Sequence, residues 1–171
     1  MLAPPDFTGG VSLGVRYTAL ANMKMPGTIA NILQQKGRAV WSISGEATVL
    51  EAIQILADKN VGALLVMSGD KLIGIFSERD YTRKVTLKNR NSRDTKVGEI
   101  VSAAVVSVTE NHAVDECMRL MTEHRVRHLP VLEGDKVVGL VSIGDLVNWI
   151  IHSQSAALEQ MQSYLSGGYP G

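Results

Sequence analysis

Apolar and polar positions change period in a regular order between residues 40 and 84. VWSIS, ending at Ser44, reads as a short extended piece. Thr48 and Glu51 then make a capping box, and Val49, Ala52, Ile53 and Leu56 form an apolar stripe at helical spacing. Two short apolar runs, ALLVM and LIGIF, flank SGDK and predict a hairpin whose glycine supplies the unusual backbone angle. A last helix is expected from Ser77. The same succession returns later: VVSVT, a stripe of Val114, Cys117, Met118 and Met121, then HLPVL, EGDK, VVGLV and a helix from Ser142. Pro130 inside HLPVL predicts an edge position or a bulge.

The return is an internal repeat. A shift of 65 places aligns Val40–Lys84 with Val105–Trp149 without a gap. Identical pairs include Val61/Val126, Leu64/Leu129, Gly69/Gly134, Gly74/Gly139, Ser77/Ser142 and Asp80/Asp145. The fold class is therefore α+β: two β-α-β-β-α units. One such unit is marginal alone, so the pair is expected to close as one module with a pseudo-twofold axis and two equivalent clefts. The expected organisation is an arm over 1–27, flexible or docking, a first repeat over 28–90, a second over 91–151 and a helical tail over 152–171.

Charge narrows the partners. Lysine plus arginine and aspartate plus glutamate both number 17, so no global basic field would draw nucleic acid or an anionic membrane. Basic residues do cluster locally from Arg83 to Lys96, either as a solvated linker or as a phosphate-facing rim. No apolar run approaches the roughly 20 residues of a membrane span. The lone cysteine, Cys117, suits a reducing compartment. A bacterial cytoplasmic setting is expected, or an organellar matrix in a eukaryote, although basic residues in the arm are few for a leader (Arg16, Lys24).

The chemistry-bearing motif is GIFSERD at Gly74–Asp80, matched by GLVSIGD at Gly139–Asp145. Ser-x-x-Asp at a helix start is first a cap: the serine accepts a first-turn N–H, and the acid favours the positive helix end. The same carboxylate at a cleft mouth can also accept from two adjacent hydroxyls, such as a ribose diol. The doubled glycine favours the second use, because a cap needs no matching glycine before it.

These residues carry a resemblance. The span 28–151 resembles a tandem pair of CBS domains, the modules named after cystathionine beta-synthase, and the chain is similar to small stand-alone CBS-pair proteins. GIFSERD and GLVSIGD resemble that family's ribose-binding element, and NVGALLV and RVRHLPV its paired strand segment. The resemblance implies adenosine-containing ligands in two clefts between the repeats. One site would use Ser77 and Asp80 with Val126, Arg127 and His128, plus Cys117 or His112 near the base. The other would use Ser142 and Asp145 with Val61, Gly62, Ala63 and Ala52. Arg79, Arg127 and His128 make the first site the better host for phosphate, since Gly144, Gly62 and Ala63 stand in those places in the second.

Other residues carry less. His112 and His128 lack a second ligand at metal spacing on one element. Cys117 lies on an apolar stripe and reads as a buried small hydrophobe. No constellation of base and nucleophile suggests an enzyme, and no catalytic cofactor is implied. Leu146, Trp149, Ile150, Leu158, Met161 and Leu165 make the C-terminal stretch too apolar for a free tail, so it packs on the module or forms an interface. The reading is a regulatory module that binds AMP, ADP, ATP or NAD, forms a homodimer and modulates an unknown protein. The competing readings are a ligand-independent interaction module with vestigial clefts and a small nucleotide-handling enzyme.

Overall fold

A computed structural model describes residues 25–101 and 104–166. The chain begins with helix α1 (Ile29–Lys36), strand β1 (Ser42–Ser44), helix α2 (Val49–Lys59) and strands β2 (Ala63–Ser68) and β3 (Lys71–Ser77). A single turn, α3 (Glu78–Asp80), widens into a π-helical turn over Tyr81–Val85 and then a 3-10 turn over Thr86–Lys88. A second 3-10 turn covers Val97–Glu99. Helix α4 (Val114–Glu123), strands β4 (His128–Glu133) and β5 (Lys136–Ser142) and the long helix α5 (Ile143–Ser166) complete the order.

The repeat is realised in three dimensions. Strands β2 and β3 pair antiparallel with Ala63 opposite Ser77, and β4 and β5 pair with His128 opposite Ser142. Both hairpins turn on a glycine in the left-handed region, Gly69 and Gly134. The Thr48–Glu51 capping box forms as the spacing predicts, with the Thr48 N–H 2.7 Å from Glu51 Oε2.

The first strands differ. β1 joins β2 in parallel, and the Leu65 N–H donates to the Trp41 carbonyl. In the second repeat Pro130 stands where Leu65 stands in the first, and proline has no N–H to give. The expected strand over Val105–Thr109 is reduced to one bridge, Val108 with Val131; the bulge between Val131 and Leu132 is matched between Val66 and Met67, so it belongs to the repeat and not to the proline. The last helix of the first repeat also departs from expectation. It is α-helical for one turn only, with the Thr82 hydroxyl bonded back to the Glu78 carbonyl.

Each repeat is roofed by the segment that precedes the other. Ile29, Ile32 and Leu33 of α1 are buried in the second repeat's core, with Val108, Val114, Cys117, Met121, Leu129 and Val141. Val97 and Ile100 are buried in the first repeat's core, with Val49, Ala52, Leu56, Leu64 and Phe76. The backbone repeats this exchange. Ile29 N–H donates to the His112 carbonyl and Val97 N–H to the Ala47 carbonyl, and Thr28 bridges Ala113 as Lys96 bridges Thr48. Leu33 sits over Gly139 and Val101 over Gly74, so closely that a Cβ on either glycine would fall within 2.8 Å of the roof. The span 28–90 expected as the first repeat therefore straddles both cores, because its opening helix buries its apolar face on the second.

Candidate functional site

Strand β3 ends where Ser77 caps α3. The Asp80 N–H reaches Ser77 Oγ at 3.4 Å, while Asp80 Oδ2 accepts from the Ser77 N–H at 3.1 Å and the Ser77 hydroxyl at 2.6 Å. The cap uses one carboxylate oxygen. The other, Oδ1, takes the Lys84 ammonium at 2.8 Å from the π turn. Beside this group opens a cleft of about 400 Å³. Its size falls in the range of small-molecule sites, about 300–1,000 Å³.

The cleft wall is rich in cations. Arg79, Arg83 and Lys84 come from the first repeat, and His124, Arg125, Arg127 and His128 from the second, with Ala104–Val106 along one side. The Arg79 guanidinium donates to the Arg125 carbonyl at 3.2 Å and so ties the two repeats across the cleft. Arg125 itself lies in the left-handed region, φ 54°, where the first repeat has Asn60 at φ 50°. Asparagine tolerates that conformation and arginine does not favour it.

Of the residues expected here, Ser77, Arg79, Asp80, Val126, Arg127 and His128 all line the cleft. Two expected neighbours do not. Cys117 is fully buried in the second core, and burial pushes its thiol up to about 12, aided by Glu116 and Asp115. The His112 ring turns back on its own loop, where Nδ1 accepts the Thr109 N–H at 3.0 Å. Arg83, Lys84, Arg125 and His124 complete the wall; their signal was the basic run from Arg83 and the charged end of α4, and only the first members of that run face the cleft.

The second site is assembled differently from the expectation. Ser142 and Asp145 form the same cap, with Asp145 Oδ2 accepting from the Ser142 N–H at 2.7 Å and hydroxyl at 2.8 Å. The third donor to Oδ2 is Lys36 of α1, at 2.7 Å. Burial alone would raise the Asp145 pKa, but Lys36 and Ser142 together hold it below the ordinary carboxylate value. Gly62 lies in the first cleft, against the His128 ring. Ala52 and Ala63 are buried, and Val61 packs on the first core, so hydrophobic packing has claimed all three. His128 feels the charge of both aspartates. Burial lowers its pKa, and Lys36 and Arg127 push the same way, against the pull of Asp145 and Asp80.

Among the described residues, no group of three His, Cys, Asp or Glu is placed to hold a metal ion, and no helix is long and apolar enough to cross a membrane. The CBS domain family pattern matches residues 37–86 and 97–152. The chain belongs to the CBS-domain family. It is 37% identical over 152 residues to the mitochondrial CBS domain-containing protein CBSX3 of Arabidopsis thaliana, covering 83% of this chain and 73% of that one. A solved CBS-domain protein from Burkholderia ambifaria superposes with a TM-score of 0.72 at 51% identity, over 74% of this chain and 96% of that chain. The CBS domain pair of protein MJ0100, solved in complex with 5′-methylthioadenosine and S-adenosyl-L-methionine, shares the fold with a TM-score of 0.64 at 24% identity, over 72% of this chain and 95% of that chain. CBS-pair proteins are regulatory.

Proposed function

We propose that this CBS pair is a non-catalytic sensor that binds an adenine nucleotide or dinucleotide in the Asp80 cleft and passes its occupancy to a partner protein. One observation carries the reading: a hydroxyl-accepting carboxylate stands in a cleft walled by cations of both repeats. A ribose diol can share Asp80, and Arg79, Arg83 and Arg127 can take phosphates bidentately. Ligand phosphates would draw the cations of the two repeats together and bias the angle between them, to the extent that the two angles differ in affinity. The adenosine ligands of the MJ0100 pair support the same ligand class. Val147, Ile151 and Leu158 are exposed on α5, which supports a homodimer through that helix.

The ligand-independent alternative has its own support, since Lys84 and Lys36 already satisfy both aspartates. A thermal-shift panel with AMP, ADP, ATP, NAD, NADH and S-adenosylmethionine separates the two. Ligand at 100 times its dissociation constant should add about 2.7 kcal/mol of stability to the wild type and none to Asp80→Ala. The absence of any shift at millimolar ligand would leave the interaction module standing.

A further inference from the structure

The two clefts differ in what the crossing segment delivers to them. On the Asp145 side α1 runs over β5 with Leu33 on Gly139, and its last residue, Lys36, reaches the cap. The ammonium donates to Asp145 Oδ2 at 2.7 Å and to the Leu140 carbonyl at 2.9 Å. Both acceptors belong to the second copy of the motif: one is the carboxylate that matches Asp80 and the other the backbone of the strand leading to it. On the Asp80 side the counterpart segment places Val101 over Gly74, and Ala104 lines an open cleft. Lys84 also touches Asp80, through Oδ1 while the cap holds Oδ2, but from four residues along the same chain segment and on a turn that lines the open cleft. The Lys36 contact joins residues 109 apart in sequence and shares the capped oxygen itself.

We infer that Lys36 is a built-in occupant of the Asp145 cleft, its ammonium holding the place that a ligand's hydroxyl pair would take. The inference deepens the nucleotide reading above and rests on it for the choice of ligand. A neutral diol entering there would have to displace an ammonium that makes one ion pair with a carboxylate and one charge-assisted bond to a backbone carbonyl, in exchange for hydroxyl bonds to the carboxylate alone. In the wild type one nucleotide per chain follows, in the Asp80 cleft.

Calorimetric titration with AMP, read as sites per chain, tests this on the full chain. Wild type should bind one and Asp80→Ala none. Lys36→Ala should bind two, and the double variant Lys36→Ala/Asp80→Ala one. Lys36→Arg, which keeps the cation, should stay at one. Alanine is well tolerated in a helix; should a melt show Lys36→Ala unfolded, Lys36→Gln takes its place. Two sites in the wild type, or no gain in either neutral variant, would overturn the inference. A wild type that binds nothing, with one site appearing in Lys36→Ala, would uphold Lys36 as the occupant and remove the Asp80 reading instead.

Discussion

The Asp80 and Asp145 clefts are built on one plan and differ in a few side chains that decide what each can hold. Where the first has Arg79, the second has Gly144, and the position of Arg127 is Gly62 in the other copy. Arg125 answers to Asn60, and Lys84 to Trp149, whose indole N–H is committed to the Pro26 carbonyl at 2.6 Å. The shared cap shows that Ser-x-x-Asp forms the same hydrogen bonds in both copies. The difference lies in the cations around it: both carboxylates carry a lysine, but the Asp80 site adds Arg79, Arg83, Arg125 and Arg127 along its wall. A duplicated motif thus reports a duplicated scaffold, and its surroundings report use.

The largest effect expected concerns the roofs. Leu33→Ala removes a fully buried side chain from the second core and should cost about 2–5 kcal/mol in chemical denaturation. Val101→Ala, which trims a smaller and half-buried roof over the first, should cost less. Equal losses would break the idea that α1 is the more deeply built of the two. Next comes ligand affinity. Asp80→Ala removes both hydroxyl contacts and should weaken nucleotide binding by more than about 100-fold, to below detection, while Asp145→Ala should leave it within a factor of about two, because Lys36 and not ligand occupies that carboxylate. The reverse pattern in titration calorimetry would exchange the two assignments.

Smaller but sharper is the trade at Arg125. Arg125→Asn relieves a left-handed arginine and should raise stability by up to about 1 kcal/mol, while removing a cation from the cleft and lowering nucleotide affinity several-fold. A variant that gains stability and keeps its affinity would show that the side chain at Arg125 is not used by ligand.

The smallest effect is a pH dependence. The His128 pKa is lowered in the folded state, chiefly by burial, so the unfolded chain binds this proton more readily. Stability should therefore fall as pH drops below the ordinary value of 6.5 toward the folded one, and be fully present above it. His128→Ala, the residue found at the matching position Ala63, should flatten melting temperature between about pH 5 and 7. Bound phosphate should favour the protonated ring, so binding should take up protons as pH nears 6.5.

Much of this was legible in the sequence. The 65-residue shift located both hairpins and both caps, because those features depend on local spacing, whereas the meeting of Ser77 and Asp80 with Val126, Arg127 and His128 was implied by the resemblance. What escaped was the crossing of the lead segments. Ile29, Ile32 and Leu33 match Val97, Ile100 and Val101 at a shift of 68, three places off the main repeat, so a search at one shift passes over them. Their apolar spacing announces a buried face and says nothing of which core buries it. Lys36 was invisible for that reason. The placement of Cys117 and His112 beside a ligand came from the resemblance, whereas the apolar stripe around Cys117 already favoured the core that holds it. Pro130 was read as an edge or bulge, and its further consequence, a strand left unformed over Val105–Thr109, required knowing which N–H its counterpart Leu65 donates. The N-terminal arm falls largely outside the described residues, as do the side chains of Met161 and Leu165.

The exchanged roofs make the halves mutual prerequisites. A fragment ending in the basic linker keeps α1 but lacks the core that α1 covers, and leaves Val49, Ala52 and Phe76 without Val97 and Ile100 above them. The complementary fragment has the opposite deficit. Neither half is a hinge-mounted lobe that can swing away intact, so any signal passed between the clefts must travel as a small shear across a dovetail, and the chain should melt in a single transition.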